Sequence, residues 1–105
     1  MIVQFVKFKS GLSDDEVRNN IEERGPQFRA LSGIIQKFYV QEKDTGEWAG
    51  IYIWDSEESM QAFRGSDLAR SIPGVYKVEG TPRVEVFDLF KPLRPEVPEP
   101  SFKFK

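Results

Sequence analysis

Apolar residues alternate at the start of the chain, and both alternating sets are apolar. In residues 1–9, Ile2, Val6 and Phe8 share one face while Val3 and Phe5 share the other. That pattern predicts a central strand covered on both sides, and Gly11 ends it. Ser13-Asp14-Asp15-Glu16 carries a capping box, with a hydroxyl at the N-cap, an acidic first turn and a glutamate at the third helical position. Val17, Ile21, Phe28 and Leu31 follow near the 3.6-residue period and predict a helix. Gly25-Pro26 interrupts it, because proline lacks an N–H and clashes with the carbonyl four residues back. A kink or two helical pieces is expected there, with Ser32-Gly33 as the left-handed stop.

Residues 34–42 and 47–54 read as two strands joined through Asp44-Thr45-Gly46, a hairpin. In the second of them Ala49, Ile51 and Ile53 form one face; Trp48, Gly50, Tyr52 and Trp54 form the other. The small aliphatic set is expected beneath the helices, with the large aromatics on the opposite face. Asp55-Ser56-Glu57-Glu58 opens a second helix carrying Met60, Phe63 and Leu68, and Pro73-Gly74 breaks it. A last strand over roughly 75–88 holds Val84, Val86 and Phe87, divided by a bulge or bend at Gly80-Thr81-Pro82. The pattern thus sets a folded domain over 1–88. Pro92, Pro95, Pro98 and Pro100 make 89–105 an extended C-terminal arm, studded with Phe90, Leu93, Val97, Phe102 and Phe104.

Strand, helix, hairpin, helix, strand is the split βαβ order of ferredoxin-like α+β domains, βαββαβ with a four-stranded antiparallel sheet. Both crossovers are right-handed, so both helices land on one sheet face and the other stays bare. With Trp48, Tyr52 and Trp54 expected there, at roughly 150–250 Å² each, the patch exceeds the ~300–600 Å² a monomer usually exposes. A second copy of the chain is the economical cover, giving a homodimer with two sheets face to face.

Composition narrows the chemistry. The 105 residues include no cysteine and no histidine, which removes disulfides, a thiol nucleophile and the commonest general base and metal ligand. A zinc knot and the usual proximal haem ligand go with them. A net charge of −2 and pI near 5.2 argue against a nucleic-acid partner or a polybasic membrane surface. The chain opens directly into a strand without a signal-peptide pattern, so a cytoplasmic protein is expected.

Gly25-Pro26-Gln27-Phe28-Arg29-Ala30-Leu31-Ser32-Gly33-Ile34-Ile35-Gln36-Lys37-Phe38-Tyr39-Val40 resembles the middle of the YdhR-like mono-oxygenase family. So does Gly50-Ile51-Tyr52-Ile53-Trp54 followed by Ser56-Glu57-Glu58-Ser59-Met60-Gln61-Ala62. The resemblance spans about residues 1–88. It implies a dimeric α+β barrel, related to antibiotic-biosynthesis mono-oxygenases. Better-understood relatives oxygenate an activated aromatic substrate such as an anthrone without metal or flavin, the substrate's own enolate reducing oxygen.

The candidate site residues follow from these readings. Trp48, Tyr52 and Trp54 are placed to stack on a planar hydrophobic substrate, or else to fill a dimer core. Lys37 and Tyr39 share a strand face, where the lysine is placed to stabilise a developing enolate or to lie at a rim. Tyr52, Tyr39 and Lys37 are therefore the catalytic candidates, with Arg29 and Arg83 as anion-binding ones. Asn19 and Asn20 are weighed as cavity amides against solvent exposure. The leading function is a cofactor-independent mono-oxygenase acting on a small aromatic or polyketide-like substrate between helices and sheet. The alternatives are a non-catalytic small-molecule-binding homodimer and an RNA-recognition-like domain, the last disfavoured by the acidic pI.

Overall fold

The structure, a computed structural model, describes residues 1–94. Seven elements run in the order β1 (Ile2–Ser10), α1 (Asp14–Arg29), β2 (Ile34–Gln41), β3 (Trp48–Trp54), α2 (Glu57–Arg64), α3 (Asp67–Val75) and β4 (Val78–Asp88). The strands form one antiparallel sheet in the order β2-β3-β1-β4, the ferredoxin-like arrangement.

The capping box forms as the sequence predicts. Glu16 N donates to Ser13 Oγ at 3.2 Å, and Ser13 N donates to Glu16 Oε1 at 3.0 Å. α1 does not divide at Gly25-Pro26 but continues through Pro26 to Arg29. Packing of Phe28 into the core holds the last turn in place beyond the missing hydrogen bond. The predicted second helix is instead two, because Ser66 starts a fresh N-cap by accepting from Ala69 N, and Pro73 lies inside α3 rather than after it. The bend expected at Gly80-Thr81-Pro82 is a register shift, with Lys7 opposite Arg83 but Lys9 opposite Glu79. Pro82 is tolerated because β4 is an edge strand.

The two sheet faces are the reverse of the expectation. Trp48, Tyr52 and Trp54 lie beneath the helices, where Tyr52 and Trp54 join Ile2, Phe28, Met60 and Phe63 in the main core. Trp48 packs with Val17 and Tyr76 in a second cluster. Ala49, Ile51 and Ile53 are the set on the far face, in register with Val3, Phe5 and Lys7 of β1 and with Gln36, Phe38 and Val40 of β2. The reason is volume. α1 presents only Val17 and Phe28 as buried residues, so rings from the sheet must fill the interlayer space. Trp54 is 0 % exposed and stacks on Tyr52 at 5.9 Å and 5°; its Nε1 donates to Gln4 Oε1 at 2.9 Å.

The far face remains apolar with this corrected set, and Phe87 at its β4 edge is 51 % exposed. After β4, Leu89 N still donates to Met1 O at 3.0 Å. Phe90 and Leu93 beyond it are 97 % and 91 % exposed. The expected arm of 89–105 is thus described only as far as Arg94, and residues 95–105, with Val97, Phe102 and Phe104, lie outside the described residues. Among the described residues no helix is long and apolar enough to cross a membrane.

Gly33 joins α1 to β2 with φ 85°, and a Cβ there would lie 2.1 Å from Ser59 Oγ. Both the left-handed backbone and the contact with α2 require glycine. Gly33→Ala is expected to lower the unfolding free energy by about 1–3 kcal/mol, measured by urea denaturation.

Candidate functional site

A cavity of about 220 Å³ lies between the sheet and the helix layer. Its floor is built by strand alternation from Gln4, Val6 and Phe8 of β1 and Trp48, Gly50 and Tyr52 of β3. Phe28 of α1, Phe63 of α2 and Ile72 of α3 form the roof. Exposed Val84, Pro73 and Arg64 belong to the same lining and mark where it meets solvent.

Lys37 and Tyr39 reach this cavity because of a bulge. Ile34 pairs with Trp54, but Gln36 pairs with Ile53, leaving Ile35 as an extra residue. The extra residue inverts the phase of everything after it, so Lys37 opposes Tyr52 and Tyr39 opposes Gly50 on the helix side. Gly50 makes room for them. A Cβ there would lie 3.1 Å from Tyr52 Cε1 and 3.3 Å from Lys37 Cε.

Lys37 Nζ stands 3.5 Å from the Phe28 ring centroid and 4.4 Å from those of Tyr39 and Tyr52. Among the described residues it makes no ion pair. Burial, helped by the nearby Arg24 guanidinium, pushes its ammonium down from 10.5 to about 7. The ring faces favour the cation by roughly 0.5–2 kcal/mol each, so desolvation is the larger effect. Tyr39 is moved the other way, up to about 12, chiefly by burial. Burial raises the Tyr52 and Tyr76 phenols as well. Near neutrality the phenols are O–H donors and Lys37 is the available base.

Of the residues proposed from sequence, Trp48, Tyr52, Lys37 and Tyr39 therefore line one cavity. Trp54 does not; it lies in the core, held by Gln4. Arg29 lines a separate cavity of about 200 Å³ that shares Phe28, Lys37 and Tyr39 with the first. Arg83 opposes Lys7 on the far face and pairs with Glu85 at 3.1 Å. Asn20 donates to Val75 O at 3.2 Å, and Asn19 is exposed. Three further residues were missed from the sequence. Gln4 is a polar residue on the same strand face as Ile2, Val6 and Phe8, the one clue available; Arg24 and Tyr76 gave none. Arg24 Nη2 donates to Ser71 Oγ at 2.9 Å, while its Nε is buried without an acceptor. Among the described residues, no three acidic side chains converge as a metal-binding group.

The lowered lysine carries a stability consequence. Between about pH 7 and 10.5 the unfolded chain binds a proton at Lys37 that the folded chain does not, so stability rises with pH across that window. Below pH 7 the penalty is fully present. Lys37→Met is expected to stabilise the fold by a few kcal/mol at pH 6, fading towards zero near pH 10.5, in paired urea titrations.

The sequence over residues 2–93 matches the family described as "Putative mono-oxygenase ydhR". No protein of curated function matches it. Among solved structures, SnoaB, a cofactor-independent oxygenase from Streptomyces nogalater, superposes with a TM-score of 0.70 at 15 % identity, covering 88 % of this chain and 96 % of its own. A putative antibiotic biosynthesis monooxygenase from Deinococcus radiodurans gives 0.69 at 11 % identity, over 89 % and 96 %. Rv0793 from Mycobacterium tuberculosis gives 0.69 at 15 %, over 88 % and 97 %. These likenesses establish the antibiotic-biosynthesis-mono-oxygenase fold, and with the match over nearly all its described length the chain belongs to the ydhR mono-oxygenase family.

Proposed function

We propose that this protein is a cofactor-independent mono-oxygenase for a small, planar, aromatic or polyketide-like substrate bound between helices and sheet. The observation that carries this reading is an amine without a counter-charge, Lys37, facing an apolar cavity walled by aromatic rings. At about 220 Å³ the cavity is below the ~300–1,000 Å³ of most ligand pockets and suits a small fused-ring compound.

In this mechanism neutral Lys37 removes a proton from a CH₂ group made acidic by an aryl ketone conjugated with it. The resulting ammonium faces the enolate it has created, and the Tyr39 and Tyr52 hydroxyls are positioned as donors to its oxygen. The carbanion carbon passes its electrons to dioxygen and bonds to it. The hydroperoxide then loses water as the C–H hydrogen leaves, giving a new carbonyl. The net change is CH₂ plus O₂ to C=O plus H₂O, with the substrate as the reductant. Oxygen uptake with an anthrone-type substrate is expected from purified protein. Lys37→Met is expected to lower kcat by about 10²–10⁴-fold with little change in KM. The wild-type rate should rise with pH through about 7 as the amine loses its proton. No uptake across a broad panel of acidic aromatic CH₂ compounds would count against the reading.

The working unit in this proposal is a homodimer whose sheets meet through Val3, Phe5, Phe38, Ile51, Ile53 and Phe87. Support comes from an apolar set that the helices of the same chain do not cover. Ile51→Glu is expected to convert the light-scattering mass from dimer to monomer while leaving the opposite-face aromatic core folded.

A further inference from the structure

Two lysines of the sheet are partly withdrawn from solvent, and their surroundings differ. Lys7, on the far face, is bonded to Glu42 and lies 3.8 Å from Glu47, contacts that raise its pKa. Among the described residues Lys37 has no such carboxylate. The charged group bearing on it is a second cation, Arg24 of α1. The titratable groups facing it are Tyr39 of its own strand and Tyr52 of β3, both phenols held protonated. Arg64 of α2 lies in the same cavity wall and adds no negative charge.

A chain that meant only to bury a cation here would be expected to pair it. An unpaired amine beside another cation, against an apolar cavity wall, is instead the arrangement that leaves a lysine lone pair free for attack on a carbonyl. Lys37 lines both cavities. The lining is apolar apart from Gln4, Lys37, Arg64 and phenol or indole groups. That selects apolar ketones and 1,3-diketones over sugars.

We propose that Lys37 Nζ captures small apolar carbonyl compounds covalently as an imine. The nitrogen lone pair bonds to the carbonyl carbon while the C=O π pair moves to oxygen, which gains a proton from the nitrogen. The carbinolamine then loses its hydroxyl and the remaining N–H proton as water. One amine and one carbonyl give one imine and one water, and no oxidant or reductant enters. This capture does not rest on the oxygenase reading, although both use the unprotonated amine.

The test is incubation of the full-length protein with acetylacetone, or with 1-naphthaldehyde followed by borohydride, then intact mass and peptide mapping. A single adduct on the peptide carrying Lys37 is expected, forming at a rate that rises with pH through about 7. Lys37→Arg, which keeps a cation but no titratable amine, should slow labelling at least tenfold. Circular dichroism reports whether that variant folds; if it does not, the wild-type peptide map alone decides. Label spread over exposed Lys9, Lys43 and Lys77 with Lys37 unmodified overturns the proposal, as does unchanged labelling in folded Lys37→Arg. Capture without oxygen uptake on anthrones sinks the oxygenase reading alone. Uptake without capture sinks this one alone.

Discussion

The space between a sheet and its covering helices has to be filled, and here the helices fill little of it. α1 is largely polar and contributes two buried side chains, while α2 and α3 are short. Rings rising from the sheet take up the volume: Tyr52 and Trp54 stack on each other and both meet Phe63 of α2, while Phe28 of α1 meets Tyr52 and Phe63. Flat rigid rings fill the layer incompletely, and Phe28, Tyr52 and Phe63 wall the gap that is left beside them. The cavity is thus a product of how the core is built. Its apolar lining is also what withdraws water from Lys37 and shifts its protonation.

The element order was legible because it rests on short-range signals. The capping box at Ser13–Glu16, the hairpin around Asp44–Gly46 and the bulge near Gly80 each depend on a few adjacent residues. The orientation of the sheet was not legible. Period two divides β3 into Trp48-Gly50-Tyr52-Trp54 and Ala49-Ile51-Ile53, yet both sets are apolar and alternation cannot say which one faces inwards. That depends on the volume the helices supply, a property of the whole packed layer.

The same distinction separates the site residues. Lys37, Tyr39, Tyr52 and Trp48 come together, and each belongs to the strands that the family resemblance covers. Arg83, read from the sequence as anion-binding, stands on the far face, a placement that depends on the irregular β1–β4 register, where it meets Lys7 and Glu85. Gln4 was passed over because an amide in a strand has an ordinary solvent-facing explanation. Only three-dimensional proximity shows it accepting the Trp54 indole N–H. The face left outward carries Val3, Ile51 and Ile53 beside the rings of Phe5, Phe38 and Phe87.

Ile35 occupies an unusual position in this architecture, being the residue without a partner across β3. Its exclusion from the ladder decides on which side of the sheet every later β2 side chain emerges. Were Ile35 paired with Ile53 in an unbroken ladder, Lys37 would oppose Ile51; Phe38 and Val40 would then turn towards the helices, while the amine and the phenol of Lys37 and Tyr39 would emerge on the outer surface. Which side both groups take thus hangs on one residue being left out of the pairing. Loss of Ile35 would smooth the strand and still leave Lys37 opposite Tyr52, so that register, and not the count of residues before it, is what the interior depends on.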